Sequence, residues 1–194
     1  MQSFNMLDKH AFPFFVYLAL LVFLVMLSSC ASSGDDMDND DNERSTNLVV
    51  PESGGTIEDM VALINEARGQ DRDCGDHGFF DATGPVTWDD RISEAALLHS
   101  TDMATNEHFD HTGTDGSSAG DRITDEGYVW RTWGENIAVG YDTIEAVVNA
   151  WLNSPGHCAN IMYSQFTQMG AAAVRGDFNG SEELYWTLNF ATPR

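Results

Sequence analysis

The period of hydrophobicity changes along this chain, and that change limits the folds open to it. Apolar residues recur at helical spacing in the first segments, whereas the last segment alternates every second residue. Thr56 and Asp59 form a capping-box-like start for a helix to Arg68, with Ile57, Met60, Ile64 and Ala67 on one face. Asp89 or Asp90 caps a second helix running to about Asn106, on which Ile92, Ala95, Ala96, His99 and Met103 recur. A short helix is expected over Asp121 to Glu126, stopped by Gly127. Asp142 and Glu145 form a cap-like pair for a third main helix carrying Ile144, Val147, Val148, Trp151 and Leu152, which should end at Pro155-Gly156. Leu184, Trp186, Leu188 and Phe190 then alternate with Tyr185, Thr187 and Asn189, the pattern of a strand with one buried face. Met169 to Val174 is its expected partner, joined through Asp177-Phe178-Asn179-Gly180. Helices first and an antiparallel sheet later predict an α+β layered domain.

The N-terminus bears on the compartment. Phe12 to Leu27 is an apolar run of about 16 residues, short for a membrane span, with Lys9 and His10 before it. It ends in Leu27-Ser28-Ser29-Cys30, which resembles the bacterial lipobox. Residues 1–29 are therefore expected to be a lipoprotein signal peptide, with Cys30 lipidated as the mature N-terminus. An ordinary signal beside a chance cysteine, or an uncleaved anchor, are the competing readings. Residues 30–55 read as an acidic tether, since Asp35, Asp36, Asp38, Asp40, Asp41 and Glu43 crowd a stretch without aromatics. Residues 56–194 then form one domain, large enough for a core and too small for two. The expected location is the bacterial cell envelope, at the periplasmic face or the cell surface, with lipid at Cys30 as the membrane contact.

Charge excludes partners more readily than it names them. The formal net charge is −22, and the only lysine, Lys9, leaves with the signal. Nucleic acid and anionic headgroups would be repelled. A monomer is expected.

Three residues form the central chemical group: His111, Glu135 and His157. Imidazoles and a carboxylate can bind a metal, move protons or hydrogen-bond a polar ligand. Each lies beside a turn or helix end, although sequence separation alone does not bring them together. Asp115 could neighbour and orient His111, against the competing reading of a solvated acidic loop residue. His99 falls on an apolar helix face and reads as a satisfied core histidine rather than a ligand. Glu107-His108 lacks a second histidine four residues on, so no zinc-binding H-E-x-x-H exists, and His77 has no evident partner. Trp130 and Trp133 flank Arg131 in an expected loop and suit a cleft rim, whereas Trp88, Trp151 and Trp186 read as core.

Asp110-His111-Thr112-Gly113, Gly134-Glu135-Asn136-Ile137-Ala138 and Trp151-x-x-Ser154-Pro155-Gly156-His157 resemble, in order, the motifs of the CAP superfamily. That superfamily joins cysteine-rich secretory proteins, antigen 5 and pathogenesis-related proteins, and the chain is most similar to its bacterial branch. The tail Tyr185-Trp186-Thr187-Leu188-Asn189-Phe190 resembles the family's final strand, so the likeness runs from about Ile57 to Phe190. It implies a three-layer α-β-α sandwich with a central antiparallel sheet and a cleft lined by histidine and glutamate. Eukaryotic relatives carry two histidines and two glutamates there; here Ser154 replaces the second glutamate and Gln165 stands where the second histidine is usual. His157 is the residue that can fill the gap. The resemblance implies an extracytoplasmic module binding lipids, small hydrophobic ligands or envelope proteins. The alternative is a hydrolase in which His111 and His157 hold a divalent metal such as zinc and Glu135 activates water. Export also favours a disulfide between Cys74 and Cys158, worth about 3–4 kcal/mol, over a nucleophilic Cys158 beside His157.

Overall fold

The computed structural model describes residues 55–194, so the signal, Cys30 and nearly all of the tether lie outside the described residues. Helix α1 spans Ile57–Arg68, and its N-cap Thr56 exchanges hydrogen bonds with Asp59 in a full capping box. Two short strands, β1 (Arg72–Asp73) and β2 (Phe79–Phe80), pair antiparallel around a single 3₁₀ turn at Gly75–His77. Strand β3 (Thr87–Trp88) leads into helix α2 (Asp90–Asn106), capped by Asp89. Helix α3 (Ala119–Asp125) opens on a second capping box, Ser118 with Asp121.

The remaining elements are β4 (Trp130–Val139), α4 (Ile144–Leu152), α5 (Pro155–Met162), β5 (Gln168–Phe178) and β6 (Ser181–Pro193). The main sheet has the order β3-β5-β6-β4. Strands β5 and β4 both run antiparallel to β6, while β3 adds a parallel edge pair to β5. The antiparallel sandwich is thus present, with a mixed edge. Asn179 and Gly180 close the β5–β6 hairpin with φ of 56° and 86°, the left-handed pair that a two-residue turn between twisted strands requires.

Three local expectations change. The expected loop at Trp130 to Trp133 is instead the start of strand Trp130–Val139: β6 extends to Pro193 and supplies the hydrogen-bonding edge. Pro155-Gly156 does separate two helices, but Pro155 occupies the first turn of α5, where its missing N–H costs nothing. Thr143, not Asp142, caps α4, through its hydroxyl and the Ala146 N–H.

Strand β6 is buried on both faces rather than one. Leu184, Trp186, Leu188 and Phe190 join Met169, Ala171 and Ala173 of β5 against α1, α4 and α5, forming the main apolar core. The opposite face carries Tyr185, Thr187 and Asn189, also fully buried, beneath α2. Ser100 of α2 bonds the Thr187 hydroxyl at 2.8 Å, so part of this second layer is held by polar contacts. Helices on both faces of one sheet make the three-layer sandwich.

Arg68 ties the first layer together. It is fully buried, and its guanidinium donates to the carbonyls of Gly84, Ile161, Tyr163 and Phe166. Burial pushes its pKa down to about 10. The disulfide Cys74–Cys158 is present, with a Cα separation of 5.5 Å, and pins the 3₁₀ turn to α5. This excludes a free thiolate at Cys158. Among the described residues no helix is long and apolar enough to cross a membrane.

Candidate functional site

Strand β4 carries Glu135 on the polar side of the sheet, in register with Asn189 of β6. Its side chain is almost wholly buried and both oxygens are engaged. Oε1 accepts from His111 Nδ1 at 2.8 Å, and Oε2 accepts from Arg122 at 2.7 Å. Arg122, on α3, also donates to the His111 carbonyl at 3.2 Å and the Ser117 carbonyl at 2.9 Å. One guanidinium therefore neutralises the glutamate and fixes the loop that presents His111. Nothing in the sequence pattern singled out Arg122; the capping box at Ser118, which starts α3 and sets its register, is the signal that could have.

Asn136, the next residue of β4, points its amide to the other face and donates to the His157 carbonyl at 3.2 Å. Asn160 donates to the Glu135 carbonyl and to the Asn136 side-chain oxygen, each at 3.0 Å. These amides sew α5 to β4 and set the height of His157 over the sheet. Gly134 completes the junction: a Cβ there would lie 2.7 Å from the Phe166 ring, which stacks on Phe190 at 5.3 Å. The Gly-Glu-Asn run thus has a separate task at each position.

His111 and His157 share a cavity of about 480 Å³ with Phe109, Ile137, Val139 and Trp151. His111 also borders a second recess of about 430 Å³, which reaches Glu135, Trp133, Asn160 and Ser118. Two of the three central residues are bonded and the third joins them through the cavity wall; no hydrogen bond links His157 to Glu135. Trp133 is a rim residue, 37% exposed. Trp130 turns its indole N–H to the Gly120 carbonyl and Thr124 hydroxyl. Asp115 does not orient His111: it accepts from the Ser117 backbone at 2.8 Å. His108 holds the same loop through the Thr112 carbonyl, and His77 lies beside Gly156. Gln165 is exposed and contributes only its backbone carbonyl, to Thr192.

The imidazoles are tuned in opposite directions. The hydrogen bond to Glu135 raises the His111 pKa, against some desolvation. Burial lowers the His157 pKa, and the nearby His111 charge lowers it further. His99 is fully buried as expected, with the Asp110 backbone beside its ring. Glu135 Oε1 is 3.8 Å from its Nε2, and desolvation lowers the His99 pKa most.

This donor set does not fit a resident divalent ion. Both Glu135 oxygens are taken, one by a guanidinium whose charge would repel a cation. His111 Nε2 and His157 remain, short of the three protein ligands a catalytic zinc requires. Among the described residues no group of three His, Cys, Asp or Glu side chains is arranged to hold a metal.

Comparison with known proteins accords with the motif order. The chain is 39% identical over 106 residues to the uncharacterized protein YkwD of Bacillus subtilis, covering 55% of this chain and 39% of that one. It is 38% identical over 106 residues to the uncharacterized membrane protein YlbC of the same species, covering 54% of this chain and 28% of that one. The matched segment thus spans less than two fifths of either relative. An outer surface protein of Borrelia burgdorferi superposes with a TM-score of 0.50 at 22% identity, covering 58% of this chain and 80% of that one, a likeness of fold. The sequence model of the CAP, or cysteine-rich secretory protein, family matches residues 61–190. The chain belongs to that family.

Proposed function

We propose that the protein is an exported binding module, anchored in the bacterial envelope by lipid at Cys30, whose cleft takes a small ligand with an apolar body and an acidic head. The carrying observation is the cavity of about 480 Å³, whose walls include Phe109, Ile137, Val139 and Trp151 and whose imidazoles are His111 and His157. His111, with its Nδ1 committed to Glu135 and its pKa raised, presents Nε2–H as a charge-assisted donor to a carboxylate or phosphate. His157, held neutral by burial, adds a second polar contact. The lipobox-like Leu27–Cys30 run supports the anchor, and the 38% identical relative named as a membrane protein accords with it.

The divalent-metal hydrolase reading lacks both ligands and a free base, because Arg122 already neutralises Glu135. A fluorescent polyene fatty acid tests the binding reading. One saturable site, weakened about tenfold by His111→Ala and again by exchanging the acid for the alcohol, is expected. Equal binding of acid and alcohol to both proteins would sink the assignment of His111. For the anchor, Cys30→Ala should release the protein from membranes.

A further inference from the structure

Taking the acidic head proposed above as given, we infer that it is the terminal carboxylate of an extended peptide, added as a strand along the free edge of β4 with its last two side chains apolar.

Strand β4 is the last in the sheet, and among the described residues no strand pairs with its outer side. Gly140 donates its N–H to the Leu184 carbonyl, which fixes the alternation of the ladder. Ala138, Asn136 and Gly134 then exchange bonds with Trp186, Leu188 and Phe190, while the backbone groups of Glu135 and Ile137 point outward. Two side chains accord with that direction: Asn160 donates to the Glu135 carbonyl at 3.0 Å, and Trp151 Nε1 to the Ile137 carbonyl at 3.2 Å. The Ile137 N–H meets no acceptor among the described residues. Ile137 borders the cavity and is 6% exposed, so a ligand that covers it must supply an acceptor or leave a buried donor unmet.

That donor separates a peptide from a hydrocarbon chain. An alkyl tail seated on Ile137 strands the N–H, whereas a peptide carbonyl accepts from it. The same peptide residue can donate to the Ile137 carbonyl, which keeps a second lone pair beside its bond to Trp151. His111 sets where the strand ends. It borders both this cavity and the recess at Trp133 to Glu135, so it stands between them across the line of the edge. Its side chain is 56% exposed, which leaves Nε2–H open to a carboxylate. Two residues along a strand, from Ile137 to Glu135, cover about 7 Å, the reach of one peptide residue and its terminal carboxylate. The ligand therefore runs antiparallel to β4, with its penultimate residue opposite Ile137. Consecutive side chains of a strand point to opposite faces, and the cavity has an apolar wall on each. Trp151 belongs to the main core on one face, and Phe109 packs on Phe178 beside Tyr185 on the other. The net charge of −22 repels further acidic residues in the ligand.

The test titrates the full chain with the tetrapeptide acetyl-Ala-Ala-Val-Leu by calorimetry, with the polyene fatty acid as competitor. Saturable binding is expected, displaced by the fatty acid and weakened about tenfold when the terminal carboxylate is made an amide. Methylating the valine nitrogen removes the bond to the Ile137 carbonyl and should weaken binding to a similar degree, about tenfold. His111→Ala should weaken the acid and leave the amide unchanged. Saturable binding of the fatty acid without the tetrapeptide overturns the peptide class and leaves the acidic-head reading standing; failure of both ligands removes both. Equal affinity of acid and amide, or of the methylated and parent peptides, overturns the strand placement even if His111→Ala fails to fold, because those changes lie in the ligand alone.

Discussion

Arg122 Nη2 lies 2.7 Å from Glu135 Oε2, and both side chains are at least nine-tenths buried. Such a pair owes much of its apparent strength to the cost of leaving either charge alone. Arg122→Ala is expected to destabilise the fold by about 3–5 kcal/mol. Glu135→Gln should cost less than the alanine variant, since the amide oxygen can still accept. Pairing Arg122→Met with Glu135→Gln should recover part of the loss, because no uncompensated charge remains. A double-mutant cycle from urea unfolding measures this coupling, and additive losses would show that the pair acts as two independent groups.

His111 and His157 should titrate apart. Glu135 raises the first, while burial and the His111 charge lower the second. A raised imidazole contributes stability that is complete below the unfolded value, near ~6.5, and is lost as pH rises through the folded value. A depressed one contributes stability above the unfolded value, lost as pH falls through the folded value. The stability difference between wild type and His111→Gln should therefore shrink as pH rises above neutrality. The difference between wild type and His157→Gln should shrink as pH falls below about 6. Ring proton titrations check the cause directly: His111→Gln should move His157 upward.

The sequence carried the family and most of the framework, and it failed where burial contradicts polarity. Helix caps at Thr56 and Asp89, the alternation in β6 and the Asn179-Gly180 turn act locally, so spacing reveals them. Tyr185, Thr187 and Asn189 read as a solvent face because a polar period of two usually means that. They are buried because α2 covers them, a tertiary fact with no local signature. The same holds for Trp130 to Val139, whose pairing partners run from Tyr185 to Pro193, far along the chain. At the site, His111 and Glu135 were legible as motif residues and are bonded. Arg122 was not, since an arginine on a short helix looks solvated until the buried carboxylate beside it is known.

The Cys74–Cys158 bond closes 84 residues and fastens α5 immediately after His157. Loop-closure entropy gives it about 4 kcal/mol of stabilisation. Cys74→Ala, Cys158→Ala should lower the unfolding midpoint accordingly and broaden the His157 resonance, because the start of α5 then depends on the Asn136 and Asn160 amides alone. Alkylation without reductant should leave the wild-type mass unchanged. Labelling at Cys74 or Cys158 would contradict the bond.

Arg68 offers the sharpest separation between charge and shape. Its four carbonyl partners come from two distant segments, Gly84 on one side and Ile161, Tyr163 and Phe166 on the other. Methionine fills similar volume but strands all four acceptors, so Arg68→Met is expected to cost about 3 kcal/mol or more. Lysine keeps the charge yet presents it as a single point, which cannot reach acceptors spread around a planar fork. Burial already lowers the arginine pKa to about 10, and an ammonium with a lower starting value would shed its proton more readily in the same place. Arg68→Lys should therefore recover less than half of the methionine loss, and its stability should fall further as pH rises toward 9. Urea unfolding at neutral and alkaline pH measures both effects. A lysine variant as stable as wild type at both would show that charge, and not the fork of hydrogen bonds, holds these segments together.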